Sequence, residues 1–264
     1  SNTYSLLRND IVIDTGGDDR YIWDSPSGAA TPSFPTISLI IDMKGNDVYF
    51  SSGPPAQGSG VLGLDILVDM AGNDKNIGHH FAQGCGLLGV GILADFEGND
   101  LYIMDTFGQA AAGFGIGVLM DLHGNDVFQG RMLIQGTGVT AGVGLLIDRE
   151  GNDQFFAGQL YPDYREDRKF TKSLSQGFGM GIRDYVPGGM GILMDCAGND
   201  LYVADYFGQG TGYWMSSGLL IDVSGNDRYM ARRYVQGAGV HFAIGGLVDY
   251  EGNDLYTAWG VSQG

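Results

Sequence analysis

Asp42-Met43-Lys44-Gly45-Asn46-Asp47-Val48-Tyr49 is the stretch on which the reading of this chain turns. It returns from Asp69, Asp95, Asp121, Asp148, Asp195, Asp222 and Asp249, and a degenerate copy, Asp14-Thr15-Gly16-Gly17-Asp18-Asp19-Arg20-Tyr21, precedes it. The motif glycines are Gly17, Gly45, Gly72, Gly98, Gly124, Gly151, Gly198, Gly225 and Gly252, so the steps are 28, 27, 26, 26, 27, 47, 27 and 27 residues. A fixed period of roughly 20–50 residues marks a stacked array, in which each unit buries its apolar face only against its neighbours. The 264 residues are therefore read as one solenoid domain, with one long step that departs from the rule.

Around the motif each unit reads Gln-Gly, a glycine-broken apolar run, Asp-x-x-Gly-Asn-Asp-x-aromatic, then a few variable residues. Gln57-Gly58, Gln83-Gly84, Gln135-Gly136, Gln176-Gly177, Gln209-Gly210, Gln236-Gly237 and Gln263-Gly264 carry the first pair, and Gln109 is followed by Ala110. The apolar runs, such as Leu64 to Val68 and Val143 to Ile147, are short and rich in Ile, Val and Leu, which marks strands. A helix at this glycine density would lose about 1 kcal/mol per glycine against alanine. In the second strand the aromatic alternates with Val48, Lys75, Leu101, Gln154 or Arg228. Period-two alternation puts these on opposite faces, and Lys, Gln and Arg need water, so the aromatic points inward and the motif aspartate leans inward with it. The first strand is apolar on both faces; both read as partly buried, and which one faces the axis stays open.

The fold expected is all-β: a parallel β-helix, or β-solenoid, of eight or nine rungs of 26–27 residues with little or no helix. The handedness rule for parallel crossovers makes it right-handed. Residues 1–36 are read as an atypical N-terminal rung or cap, with 24–36 an irregular excursion holding three of the seven prolines. The chain ends where another repeat would begin, which reads as a cut from a longer array. Stacked identical positions build ladders of Gln, Asn, Asp and aromatic side chains that hydrogen-bond and stack along the axis.

Charge narrows the partners. Thirty-one acidic against 14 basic residues leave a formal net charge of −17. Nucleic acid is not expected, since phosphate contacts need Lys or Arg. Membrane insertion is not expected either, since no run of 18 apolar residues exists. Cys85 and Cys196 fall at different positions of their repeats and read as free thiols.

The sharpest chemical feature is a column of motif aspartates: Asp47, Asp74, Asp100, Asp126, Asp153, Asp200, Asp227 and Asp254. A second column, of the leading aspartates, runs beside it. Like charges ~5 Å apart repel by about 3 kcal/mol per pair at an effective dielectric of ~20, so something must offset them. Ca²⁺ between rungs would do so, being a hard cation that takes six to eight oxygen ligands. Asx turns, with each carboxylate satisfied by corner amides, would do so without metal.

Gly98-Asn99-Asp100-Leu101-Tyr102 and its equivalents resemble the second half of the RTX, or haemolysin-type, calcium-binding repeat Gly-Gly-x-Gly-x-Asp-x-hydrophobic-x. The resemblance implies Asp100 and its equivalents as Ca²⁺ ligands between stacked turns; the home expected for the chain is extracellular or the cell surface, with the periplasm as the alternative. It covers about five residues per rung; Asp-x-x-Gly replaces the double glycine, and the motif comes once per rung instead of in tandem. The whole repeat is also similar to bacterial proteins with Gly-Asp-Asp or Gly-Asn-Asp β-repeats.

The long step holds two insertions, 160–175 and 182–187. They carry Tyr161, Tyr164, Arg165, Arg168, Lys169, Arg183 and Tyr185, an aromatic and basic set suited to a carbohydrate or protein ligand. The motif-free repetition favours a non-catalytic, exported bacterial module, a rigid acidic scaffold for adhesion, surface assembly or ligand binding, which self-associates end to end or laterally. The alternative is a polysaccharide lyase or hydrolase sited near 160–187, with Arg165, Arg168 or Lys169 and Asp163 or Asp167 as acid and base. His79-His80, where Asn76 replaces the aromatic, marks a local metal or acid/base site or an ordinary surface pair.

Overall fold

The computed structural model describes residues 1–7, 9–23, 35–53, 55–164 and 170–263. It is a β-solenoid of about nine turns, and no α-helix occurs among the described residues. One rung shows the course. Leu64–Asp69 lies in a nine-stranded sheet, the Gly-Asn-Asp corner follows, and Lys75–Ile77 joins a ten-stranded sheet. His80–Ala82 then forms a short third side, Gln83-Gly84 turns the chain, and Gly86–Leu87 enters a seven-stranded sheet before Val90–Asp95 begins the next rung.

All strands pair in parallel with identical repeat positions opposite one another: Asp69 pairs with Asp42 and Asp95, and Tyr102 with Asn76 and Phe128. The first strands obey the same register, Ile11–Asp14 against Leu39 to Asp42 and Arg20–Trp23 against Val48–Ser51. Of the excursion expected at 24–36, residues 24–34 lie outside the described residues.

The ten-stranded sheet turns its aromatics inward. Tyr102, Phe128, Phe155, Tyr202, Tyr229 and Tyr256 form a continuous stack with centroids 4.7 to 5.0 Å apart and planes within 6°. The spacing is the interstrand distance of the sheet itself, so backbone pairing and ring stacking reinforce one another. Opposite, Leu67, Leu93, Leu119, Leu146, Leu193 and Leu220 form a buried aliphatic ladder. The axis-facing row of the first strand is thus the one that includes the residue two before the leading aspartate.

The glutamine corner that leads into the seven-stranded sheet has no room for a side chain at its glycine. A Cβ on Gly84 would lie 2.1 Å from the carbonyl oxygen of Val118, and Gly84 has φ +72°. Glycine is the residue that tolerates both the close approach and the left-handed backbone. Gln83 before it is also left-handed, at φ 56°. Its buried amide donates to the carbonyls of Asn76 at 2.8 Å and Ile103 at 3.0 Å, tying its own rung to the next. The glutamine ladder is cohesive.

Candidate metal centre

The two aspartate columns converge inside the Gly-Asn-Asp corner. Backbone direction explains why: the leading aspartate ends an inward row of one sheet, and the motif aspartate, five residues on, begins an inward row of the next. Asp69, Asp74, Asp95, Asp100, Asp121, Asp126, Asp148, Asp153, Asp195 and Asp200 are all 2% exposed or less.

Each column has its own hydrogen-bond rule. One oxygen of every motif aspartate accepts the backbone N–H of the motif aspartate one rung back: Asp47 to Asp74 at 2.5 Å, Asp74 to Asp100 at 2.6 Å, Asp100 to Asp126 at 2.6 Å. The asparagines beside them make a separate exposed ladder, with Asn99 Nδ2 donating to Asn73 Oδ1 at 3.1 Å and Asn125 Nδ2 to Asn99 Oδ1 at 3.0 Å. The leading aspartates accept tyrosine hydroxyls from the ring stack: Tyr49 donates to Asp69 at 2.5 Å, Tyr102 to Asp121 at 2.7 Å and Tyr202 to Asp222 at 2.8 Å.

Corner amides therefore satisfy half of each motif carboxylate and leave the other half. The Oδ2 atoms of Asp47, Asp74, Asp100, Asp126, Asp153, Asp200 and Asp227 are buried and receive no hydrogen bond. Asp95, Asp121, Asp195 and Asp222 each retain an unpartnered Oδ1. Asp148 is the extreme case, fully buried with neither oxygen receiving a hydrogen bond. Its own rung carries Phe155 and the rung before carries Phe128, so no tyrosine hydroxyl reaches it.

Carboxylate oxygens of the two columns face one another. Asp69, Asp74 and Asp95 present three ligand atoms within 4.8 Å, as do Asp95, Asp100 and Asp121, and eight such groups occur among the described residues. Oxygens bound to one Ca²⁺ at about 2.3–2.6 Å can stand no farther apart than about 5 Å, so the groups match the span of a single cation's ligand shell. Each group supplies three of the six to eight oxygens that calcium takes. Each rung contributes two buried carboxylates, whose charge one divalent cation balances. The donor set fits a hard divalent cation.

Without a cation the same space favours protons. Burial, with the neighbouring Asp69 carboxylate next, pushes Asp74 up to about 9. Burial likewise pushes Asp126 and Asp200 up to about 8 and Asp100 up to about 7. Burial and then the charges of Asp153 and Asp195 raise Asp148 well above the usual carboxylate range.

The sequence-predicted ligands Asp47, Asp74, Asp100, Asp126, Asp153, Asp200 and Asp227 all lie in this corner column; Asp254, on the last rung, is half-buried. The site set drawn from the sequence omitted the leading aspartates, which complete every group. Their constant five-residue offset from the motif aspartate was the signal.

The insertion residues are spread out. Tyr161 and Tyr164 sit on 160–175, between the ten-stranded sheet and the glutamine corner; Arg183 and Tyr185 sit on a small antiparallel excursion closed by Ile182 and Val186, between the other two sheets. The two insertions leave different corners of the solenoid. Arg165, Asp167, Arg168 and Lys169 lie outside the described residues, and Asp163 is fully buried. Tyr161 donates to Asp105 at 3.2 Å, and Asp105 pairs with Arg131 at 3.4 Å. Asp105, Arg131, His79 and Gln159 line a groove of about 510 Å³, which holds one carboxylate among the described residues. His80 contacts the Thr106 hydroxyl at 2.6 Å. Cys85 and Cys196 are free thiols.

No protein-family model matches the chain, and no curated protein or solved structure matches it.

Proposed function

We propose that this chain is a non-catalytic repeat module, a rigid scaffold of an exported bacterial protein, stiffened by Ca²⁺ held between its rungs. The observation that carries the reading is Asp148, a fully buried carboxylate whose oxygens receive no hydrogen bond while Asp126 and Asp153 stand beside it in one ligand group. A buried charge without partner or proton costs several kcal/mol, and a chain that stacks two buried carboxylates in rung after rung calls for counter-charge, most of all at Asp148. Calcium supplies that charge and cross-links consecutive rungs. Extracellular modules work with calcium affinities of about 10⁻⁴–10⁻³ M, which suits an array loaded on export and released where calcium is scarce. Among the described residues this acidic rod shows repeated corners and no single reactive cluster, which favours adhesion or surface assembly over catalysis.

The test is thermal unfolding in EDTA and then in millimolar CaCl₂. A ligand that binds only the folded chain raises stability by RT ln(1 + [L]/Kd) per site, so several sites acting together move the transition by many degrees. An unchanged transition would leave the corner carboxyls as proton-sharing turn formers.

The groove beside 160–175 favours a second role on the same scaffold, binding of a saccharide through Tyr161, Asp105, Arg131 and Gln159. Glycoside hydrolysis calls for two carboxyl groups flanking the scissile bond, so the one groove carboxylate among the described residues favours binding without cleavage. Loss of glycan-array binding in Tyr161→Ala tests it.

A further inference from the structure

The outward row of the nine-stranded sheet is aliphatic from end to end. Strands such as Leu64–Asp69, Ile116–Asp121 and Val143–Asp148 alternate buried residues with exposed or half-buried ones, while in Val90–Asp95 the outward Ala94 is itself buried. Ile66, Ile92, Val118, Leu145, Ile192 and Leu219 stand in register along the middle of that open face. From Ile37–Asp42 to Ile244–Asp249, every outward residue is aliphatic or methionine except Ser217 and Gly246. In a chain of formal net charge −17, this face carries no charged side chain at all.

We propose that this face is the contact between two copies of the chain, packed sheet on sheet. Three observations select that occupant. The first is area. Nine strands ~4.8 Å apart, eight of them six residues long and the first only four, at ~3.3 Å per residue make a flat patch of roughly 40 by 20 Å, about 800 Å². That is the contribution per partner of a stable standard interface, about 800 Å², and exceeds the largest exposed apolar patch of a typical monomer, about 300–600 Å². The second is chemistry: with no charge and no hydrogen-bonding side chain except Ser217, the face offers a polar or charged ligand nothing to read. The third is periodicity. Side-chain rows recur at the rung spacing, and a second copy presents the same rows at the same spacing, so the two sets interleave along the whole patch. A two-fold arrangement closes the contact with each copy using the same surface. The pairing is independent of what occupies the aspartate corner.

Analytical ultracentrifugation of the whole chain over a concentration series, in calcium-containing buffer, tests it. The expected mass is twice the 28.1 kDa of the chain. Added salt strengthens the pairing by screening the repulsion between two acidic rods, since the screening length is about 8 Å at physiological ionic strength. Val118→Glu with Leu145→Glu sets carboxylates against one another at the contact and weakens association roughly tenfold or more. Gln154→Glu, on the exposed row of the ten-stranded sheet, leaves it unchanged. Should the paired glutamates unfold the chain, Leu145→Thr with Ile192→Thr keeps strand-forming side chains and makes the same comparison. A chain that stays monomeric at all concentrations would overturn the proposal. So would a dimer indifferent to both pairs of substitutions, or a monomer that binds phosphatidylcholine vesicles through this face.

Discussion

Asp148 and Phe155 share a rung, and the ring of Phe155 stands where Tyr202 and Tyr229 carry the hydroxyl that donates to the aspartate seven residues earlier. Phe128, in the neighbouring rung, repeats the omission. The ring stack is unbroken there, with Phe155 4.8 Å from Phe128 and 5.0 Å from Tyr202, so packing is kept while the donor is lost. The corner around Asp148 is therefore where counter-charge matters most.

Phe155→Tyr restores the missing donor. Tyrosine fits the same place in the rungs of Tyr202 and Tyr229, and a hydrogen bond to a charged group is worth about 1.5–3 kcal/mol. Urea unfolding in EDTA should show the variant more stable by roughly 1–2 kcal/mol after repacking. The gain should shrink in calcium, where the carboxylate already has a partner. A destabilised variant in both buffers would mean that the space beside Asp148 is closed.

The pH dependence of the metal-free chain has a definite sign. Burial holds Asp74 up to about 9, Asp126 and Asp200 up to about 8, Asp47, Asp100 and Asp227 up to about 7, and Asp153 up to about 6, each from 3.8. Between about pH 4 and about pH 9 the folded chain holds protons that the unfolded chain has released. Stability in EDTA is thus fullest below about pH 4 and falls as pH rises through this window. Calcium needs ionised ligands, so the increment it adds grows with pH over the same range. Melting curves across the window, with and without calcium, should diverge. Parallel curves would contradict the shared use of one set of carboxylates by protons and calcium.

Gln135→Leu removes the amide that donates to the carbonyls of Phe128 at 2.9 Å and Phe156 at 3.2 Å. Two buried acceptors lose their partner, and leaving such a group unsatisfied costs about 1–3 kcal/mol. Equilibrium unfolding should show a loss of roughly 3 kcal/mol, and a neutral result would assign the glutamine ladder to local turn preference alone.

Much of this fold is legible because stacking repeats each decision many times. Lys75, Gln154 and Arg228 need water, which turns Tyr49, Tyr102 and Tyr202 inward, and all three are fully buried. The run Leu64-Asp65-Ile66-Leu67-Val68 gives no such handle, because both of its faces carry apolar residues. Only the structure shows Leu67 buried and Ile66 and Val68 facing out. The pairing of the aspartate columns was half legible: a five-residue offset spans a corner, and whether Asp95 and Asp100 converge depends on the path of that corner. The placement of the insertions was not legible. Residues 160–175 and 182–187 are near in sequence, yet a two-residue strand of the seven-stranded sheet, Gly179–Met180, separates them around the cross-section.

Calcium stoichiometry measured by equilibrium dialysis and elemental analysis, on the same samples used for melting, tests the central claim most directly. The cation reading predicts several bound ions per chain, approaching one per rung, lost in EDTA together with a drop of many degrees in the transition. No bound calcium, with identical melting in both buffers, would contradict it and leave the buried aspartates as protonated corner residues.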